Sequence, residues 1–310
     1  MGLFGKKAVI PEWATFFSEK EYSAFDKAVD SYLKGKLKLV YDIHDGIVEL
    51  QDNPFGLSNL GLMNVARMCR RSKLGDYHKI VEYHFNMIKE AHVFKANFEK
   101  IEDDFNQVRQ YIAVRIYDLD YIEAVGMEHV ISRDFAESLH AVLVYDFPSA
   151  IENIRPEKSA SWNKSLDELF DIGIENVRKN YGFDVKPAEL GADKDILYFC
   201  ETEHFFAPNV LFDIEKHSQI VGKSGSLIAV PTRHLAVIYP INDLNVVRVS
   251  NLFFGFVRSI FENNPGSLTQ KIYWYHDGNF IHLPYEHEND RIKFFPPQEY
   301  LDELNRLAEN

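Results

Sequence analysis

The sequence predicts an α+β protein built from mixed, largely antiparallel sheets with flanking helices. Three observations carry this expectation. Two Asp-Gly dipeptides, Asp45-Gly46 and Asp277-Gly278, each join short β-rich runs, and so tight a turn requires antiparallel neighbours. Apolar residues return at helical spacing over long stretches between the strand-like runs. Strands and helices are interleaved without the glycine-rich fingerprint that opens a dinucleotide-binding βαβ unit.

The elements follow in order. Ser18 and Glu21 form a capping box in front of a helix whose Phe25, Ala28, Val29 and Leu33 share one face, and Gly35 ends it. Residues 37–51 read as a hairpin through Asp45-Gly46. From Leu57 to about Lys100 the pattern predicts two helices divided near Leu74-Gly75. The strands YIAVRIYD and LHAVLVYDF come next. A second Ser-x-x-Glu box, Ser165 with Glu168, opens a helix that Gly182 closes, and Gly173 on its apolar face would let a neighbouring backbone come close.

In the second half, DILYFCE is a strand and 208–222 a helix, followed by strands SLIAV and HLAVIYP. A strongly apolar helix over 242–264 ends at Asn264-Pro265-Gly266. The second Asp-Gly hairpin and a last helix after Pro297 complete the chain. No repeat or low-complexity segment appears, and 151–165 is the best candidate junction, giving an N-terminal region 1–155 and a C-terminal region 156–310.

Composition narrows the functional classes. A net charge of -13, from 47 acidic and 34 basic residues, repels phosphate backbones and anionic lipid, so neither nucleic acid nor membrane is an expected partner. The N-terminal MGLFGKKAVIPEW lacks an apolar leader core, and Lys6 stands where a myristoylation signal wants Ser or Thr. Cys69 and Cys200 lie far apart in apolar stretches and read as buried free thiols. Together these features predict a cytoplasmic protein.

Gly222-Lys223-Ser224 imitates a phosphate loop, but His217 occupies the place of the required upstream glycine and a strand follows where a helix should. It reads as punctuation between two elements. Pro231-Thr232-Arg233-His234 reads as a hairpin turn, and Arg233 with His234 could also hold a carboxylate or phosphate there. Three strands end alike, at Asp42, Asp118 and Asp146. Parallel neighbours would gather those carboxylates, with Asp120, around a cation, whereas aspartate is also ordinary at strand ends.

The His-acid groups Glu201–His204, His282/Glu286/His287 and His78/Glu82/His84 match no zinc-site spacing, so no metal and no other cofactor is expected. No nucleophile elbow or active-site cysteine signature is present. Trp162 and Trp274 could line a pocket or fill the core.

A strand closing on Asp146 and Pro148, Trp162 ahead of a helix bearing Leu169 and Asn176, and a late strand pair with Pro231 at its turn together resemble the YtpQ-like family of bacterial cytoplasmic proteins, a domain of unknown function. The resemblance spans about half the chain. It implies a soluble α+β protein and transfers no site residues. The expectation is therefore a non-catalytic protein that binds a protein partner or a small acidic ligand. The alternatives are a hydrolase or phosphate-handling enzyme using Arg233, His234 and the strand-end aspartates, and a regulatory or immunity-like protein acting by surface complementarity.

Overall fold

The computed structural model describes residues 10–51, 53–264, 266–288 and 291–309. The N-terminal residues read for a leader, including Lys6, lie outside that range, as do Pro265, Asn289 and Asp290. The fold is α+β, and every strand pairing with a described register is antiparallel. The chain forms two compact units. The first ends at Ile101 and takes in Phe147–Ala150, and the second holds Glu102–Asp146 and everything from Ile151 onward. The stretch 151–165 lies inside the second unit.

In the first unit, Ser18 caps α1 (Glu19–Asp30) with both halves of its capping box in place. β1 (Tyr41–His44) and β2 (Ile47–Leu50) turn through Asp45 and Gly46, whose φ angles of 48° and 76° are those of a tight hairpin. β3 (Asn59–Gly61) adds to β2, with Glu49 opposite Asn59, where the sequence suggested the start of a helix. Three residues are too few to carry a period of their own, so partner strand β2 decides their conformation. α2 (Met63–Arg70) and α3 (Tyr77–Phe98) follow, and Phe25, Val65, Val81 and Phe85 meet in one core.

The second unit begins with α4 (Phe105–Val108), β4 (Ile112–Asp118) and α5 (Leu119–Val125). β5 (Ser132–Ala136), β6 (Leu139–Phe147) and β7 (Ala150–Asn153) join β4 in a four-stranded sheet. After α6 (Pro156–Ser161) comes α7 (Leu166–Tyr181), which packs on β4 through Gly173. β8 (Val185–Leu190), β9 (Asp195–Glu201), β10 (Ser226–Thr232) and β11 (Leu235–Pro240) lead to α8 (Asn245–Asn263). β12 (Ile272–His276), β13 (Asn279–His282), β14 (Tyr285–Glu288), β15 (Arg291–Phe294) and α9 (Gln298–Glu309) end the chain.

Six strands form the large sheet, in the order β13-β12-β10-β11-β9-β8. Alternate residues of β10–β12 serve opposite faces, as the two-residue period of a strand requires. Leu227, Ala229, Val237 and Trp274 pack with Val249, Phe253 and Val257 of α8, while Ile228, Val230, Ile238 and Tyr273 pack with Val210, Leu211 and Ile214. Burial on both faces explains why these strands read as unbroken apolar runs. β8 takes the edge, where Pro187 removes a donor at little cost.

Where the sequence predicts an α-helix over 208–222, Ala207–Lys216 is 3₁₀, with non-helical angles at Asp213. Pro208 stands in the first turn, and Asp213 is held from outside by a bidentate Arg178 fork at 2.6 and 2.7 Å. Tertiary pairing overrides the helical period here. Gly222 and Gly225 bridge across a tight turn, and the Trp274 indole donates to Ser224 O at 2.8 Å, which fixes the phosphate-loop lookalike as a turn.

Candidate functional site

The bulged end of the β10–β11 hairpin builds the site. Register slips between Ala229 and Thr232, where Pro231 cannot donate, and the two-residue turn that follows is Arg233-His234. The segment after α8 closes alongside. Leu268 N–H donates to Pro231 O at 2.9 Å, and Arg233 N–H donates to Gly266 O at 2.9 Å. Gly266 has φ 75°, and a Cβ there would lie 2.6 Å from Arg233 Nε, so the glycine leaves room for the guanidinium.

Arg233 points into a pocket of about 340 Å³ lined also by Arg115, Tyr117, Asp118, Tyr121 and Ile151. Arg115 is a charge in the middle of the buried run 112–117 of β4 and is 8% exposed. Its guanidinium lies 4.3 Å from the Tyr117 ring centre and donates to the Tyr117 hydroxyl at 2.9 Å, while its Nε has no partner. Phe205 sits by both arginines, with guanidinium carbons 5.7 Å (Arg115) and 4.4 Å (Arg233) from its ring centre.

Among the described residues no carboxylate lies within ion-pair distance of either guanidinium. Burial makes both less willing to stay charged, and Arg115 is further disfavoured by Arg233. Two half-desolvated cations without a counter-ion are costly, and an arriving anion relieves both.

His234 is held rather than free. Arg233 Nε–H donates to its Nε2 at 3.3 Å, so the ring proton sits on Nδ1, within reach of Thr202 O (3.2 Å) and His204 O (3.1 Å). Burial first, and then Arg233, lower its pKa. The imidazole borders a second pocket of about 370 Å³, with Phe199, Leu235, Phe256 and Ile260.

The strand-end aspartates separate. Asp118 pairs with Leu139 and Ile112 with Tyr145, so Asp146 stands seven residues (139 to 146) along β6 from the partner of Asp118, about 23 Å at strand rise. Asp118 lines the arginine pocket and accepts from Asp120 N–H as the cap of α5, and burial raises its pKa. Asp146 accepts from the Tyr181 hydroxyl at 2.6 Å. Asp42 is exposed on β1 of the first unit. Trp162 is buried and donates its indole N–H to Glu102 O at 3.0 Å, and Trp274 is core.

Among the described residues no three His, Cys, Asp or Glu side chains could hold a metal ion together. His282 Nδ1 is 2.9 Å from Glu137, and Glu286 and His287 sit on β14. Sequence reading passed over Arg115, Tyr117, Tyr121 and Phe205. A signal existed for the first, since an arginine inside the apolar run IAVRIY is rarely buried without a partner.

Compared with known protein families, characterised proteins and solved structures, the chain matches none.

Proposed function

We propose that this chain is a non-catalytic binding protein whose second unit captures a small anionic ligand between Arg115 and Arg233. One observation carries the reading: two guanidiniums share a pocket whose acidic lining residue, Asp118, pairs with neither of them. A structural arginine in a protein interior is ordinarily matched by a carboxylate or by carbonyls, and Arg115 Nε is matched by neither. The separation of Asp118 from Asp146 and the occupied Nε2 of His234 weigh against the hydrolase alternative. Among the described residues no helix is long and apolar enough to cross a membrane, and both cysteines are free and buried. These features agree with a reducing, cytoplasmic setting.

The test is thermal unfolding with inorganic phosphate, sulfate, succinate and citrate, on wild type and on Arg115→Met and Arg233→Met. A ligand that binds only the native state raises the midpoint. The expected outcome is a concentration-dependent rise in wild type that both variants lose. Equal rises in all three proteins would place the anion elsewhere.

A further inference from the structure

We infer that the Arg115–Arg233 pocket takes a phosphate monoester whose alcohol is a small apolar or aromatic group. This rests on the anion-binding reading of the pocket and narrows it.

The donors set the first condition. A guanidinium offers five N–H groups in a fixed fork. Arg115 uses one on the Tyr117 hydroxyl and leaves Nε unmatched, and Arg233 uses Nε on His234. A single bidentate fork already occupies both oxygens of a carboxylate. A second guanidinium in the same pocket asks for more acceptor oxygens and more charge. A phosphate monoester has three terminal oxygens and about −1.5 to −2 charge at pH 7. It meets both arginines, whereas a monocarboxylate leaves one wanting. Asp118 lines the same pocket but does not fill the gap, because it lies beyond ion-pair distance of both guanidiniums and turns Oδ1 to the α5 cap.

The walls set the second condition. Tyr117 is buried, with Arg115 over its ring and Tyr121 stacked on it at 3.9 Å between centres and 13° between planes, so the apolar wall open to a ligand is Tyr121, Ile151 and Leu268. Inorganic phosphate alone would leave that surface wet. An aryl or alkyl group covers it and gains hydrophobic and stacking energy. About 340 Å³ lies at the small end of ligand pockets, which suits a small monoester rather than a dinucleotide.

Titration calorimetry on the full chain with phenyl phosphate, inorganic phosphate, benzoate and phthalate tests this. Wild type, Arg115→Met, Arg233→Met and the charge-keeping Arg115→Lys are compared, each first shown to unfold cooperatively. The expected result is phenyl phosphate binding at least about tenfold tighter than the other three probes, a difference of about 1.4 kcal/mol, with at least that loss in every variant. Phthalate or benzoate binding as tightly as phenyl phosphate overturns the monoester and leaves anion binding standing. Inorganic phosphate matching phenyl phosphate overturns the apolar group. Absence of binding by all four removes the anion-binding reading as well, and undiminished binding in the variants overturns the assignment to this pocket.

Discussion

Arg233 Nε–H points at Nε2 of His234, 3.3 Å away, and this contact determines which nitrogen of the ring carries the proton. With Nε2 accepting, Nδ1–H faces the carbonyls of Thr202 and His204. A second proton on the ring would have to sit on Nε2, against a guanidinium.

The pH dependence follows from that geometry. The native pKa of His234 lies below the ordinary 6.5, through burial first and then Arg233. The unfolded chain therefore takes up a proton in a range where the native ring does not. The stabilisation from the neutral ring is complete above pH 6.5 and is lost as pH falls toward the native pKa. Denaturant unfolding should show lower stability at pH 5.5 than at pH 7.5, and His234→Gln should flatten part of that difference. Long-range proton–nitrogen NMR should find the Nδ1–H tautomer at neutral pH. An Nε2–H tautomer would refute the contact.

Arg115→Met should leave the ligand-free protein as stable as wild type or more so. The substitution removes a buried cation with no counter-ion and keeps most of the side-chain volume. The lost hydrogen bond to Tyr117 and the cation–π contact offset part of the gain. The expected net change is about 1 kcal/mol, which raises the midpoint by roughly 2–4 °C in a domain of this size. Chemical denaturation checks it. A drop of similar size would make Arg115 a structural residue and weaken the binding reading.

Local chemistry was legible in the sequence. Both Asp-Gly turns take positive φ at both residues, 48° and 76° in one and 46° and 79° in the other. Ser18 and Glu21 cap each other, and Ser165 accepts from Glu168 N–H. What depends on partners was not legible. β3, β5, β7, β8, β14 and β15 run three to six residues, too short to carry a period, and exist because a neighbouring strand pairs with them. The site divides the same way. Arg233 stands at a turn that its proline marks, while Arg115 and Phe205 reach it from β4, a strand of the other sheet, and from the loop after β9, a meeting that packing between elements distant in sequence creates.

Gly173→Ala should destabilise the second unit. A Cβ at 173 would lie 2.8 Å from the carbonyl carbon of Ala113 and from Cγ2 of Val114, closer than such atoms approach. The obstacle is backbone, so α7 must move off β4. The expected cost is about 1–3 kcal/mol, read as an earlier denaturant midpoint with an unchanged slope. A neutral result would mean that α7 shifts freely on the sheet.

Arg178→Met should also destabilise. Burial alone would raise the Asp213 pKa, but Arg178 and Lys216 outweigh it and hold the carboxyl below its usual range. The stability carried by this pair is present above about pH 3.8 and is lost as pH falls through the lower native value. Removing Arg178 leaves an 8%-exposed carboxylate supported only by Lys216 at 2.8 Å. Because Arg178 is itself one-third exposed and Lys216 remains, a loss of about 2 kcal/mol is expected at pH 7. The deficit should shrink in acid, where the orphaned carboxylate protonates. A deficit that stays constant down to pH 3 would show that packing, and not charge, is what Arg178 supplies.

Gly266→Ala should separate binding from folding. The new methyl would meet the flexible end of Arg233, at 2.6 Å from Nε and 3.0 Å from Cδ, so the side chain yields before the backbone does. Holding alanine at φ 75° costs about 1–2 kcal/mol. Arg233 then swings away from Phe205 and from His234. Anion affinity should fall at least about tenfold, and the His234 ring should lose the shift of Nε2 that its guanidinium neighbour imposes. Calorimetry and the histidine nitrogen spectrum read the two effects on one sample. If affinity falls while the His234 signal stays put, Gly266 acts through something other than the placement of Arg233.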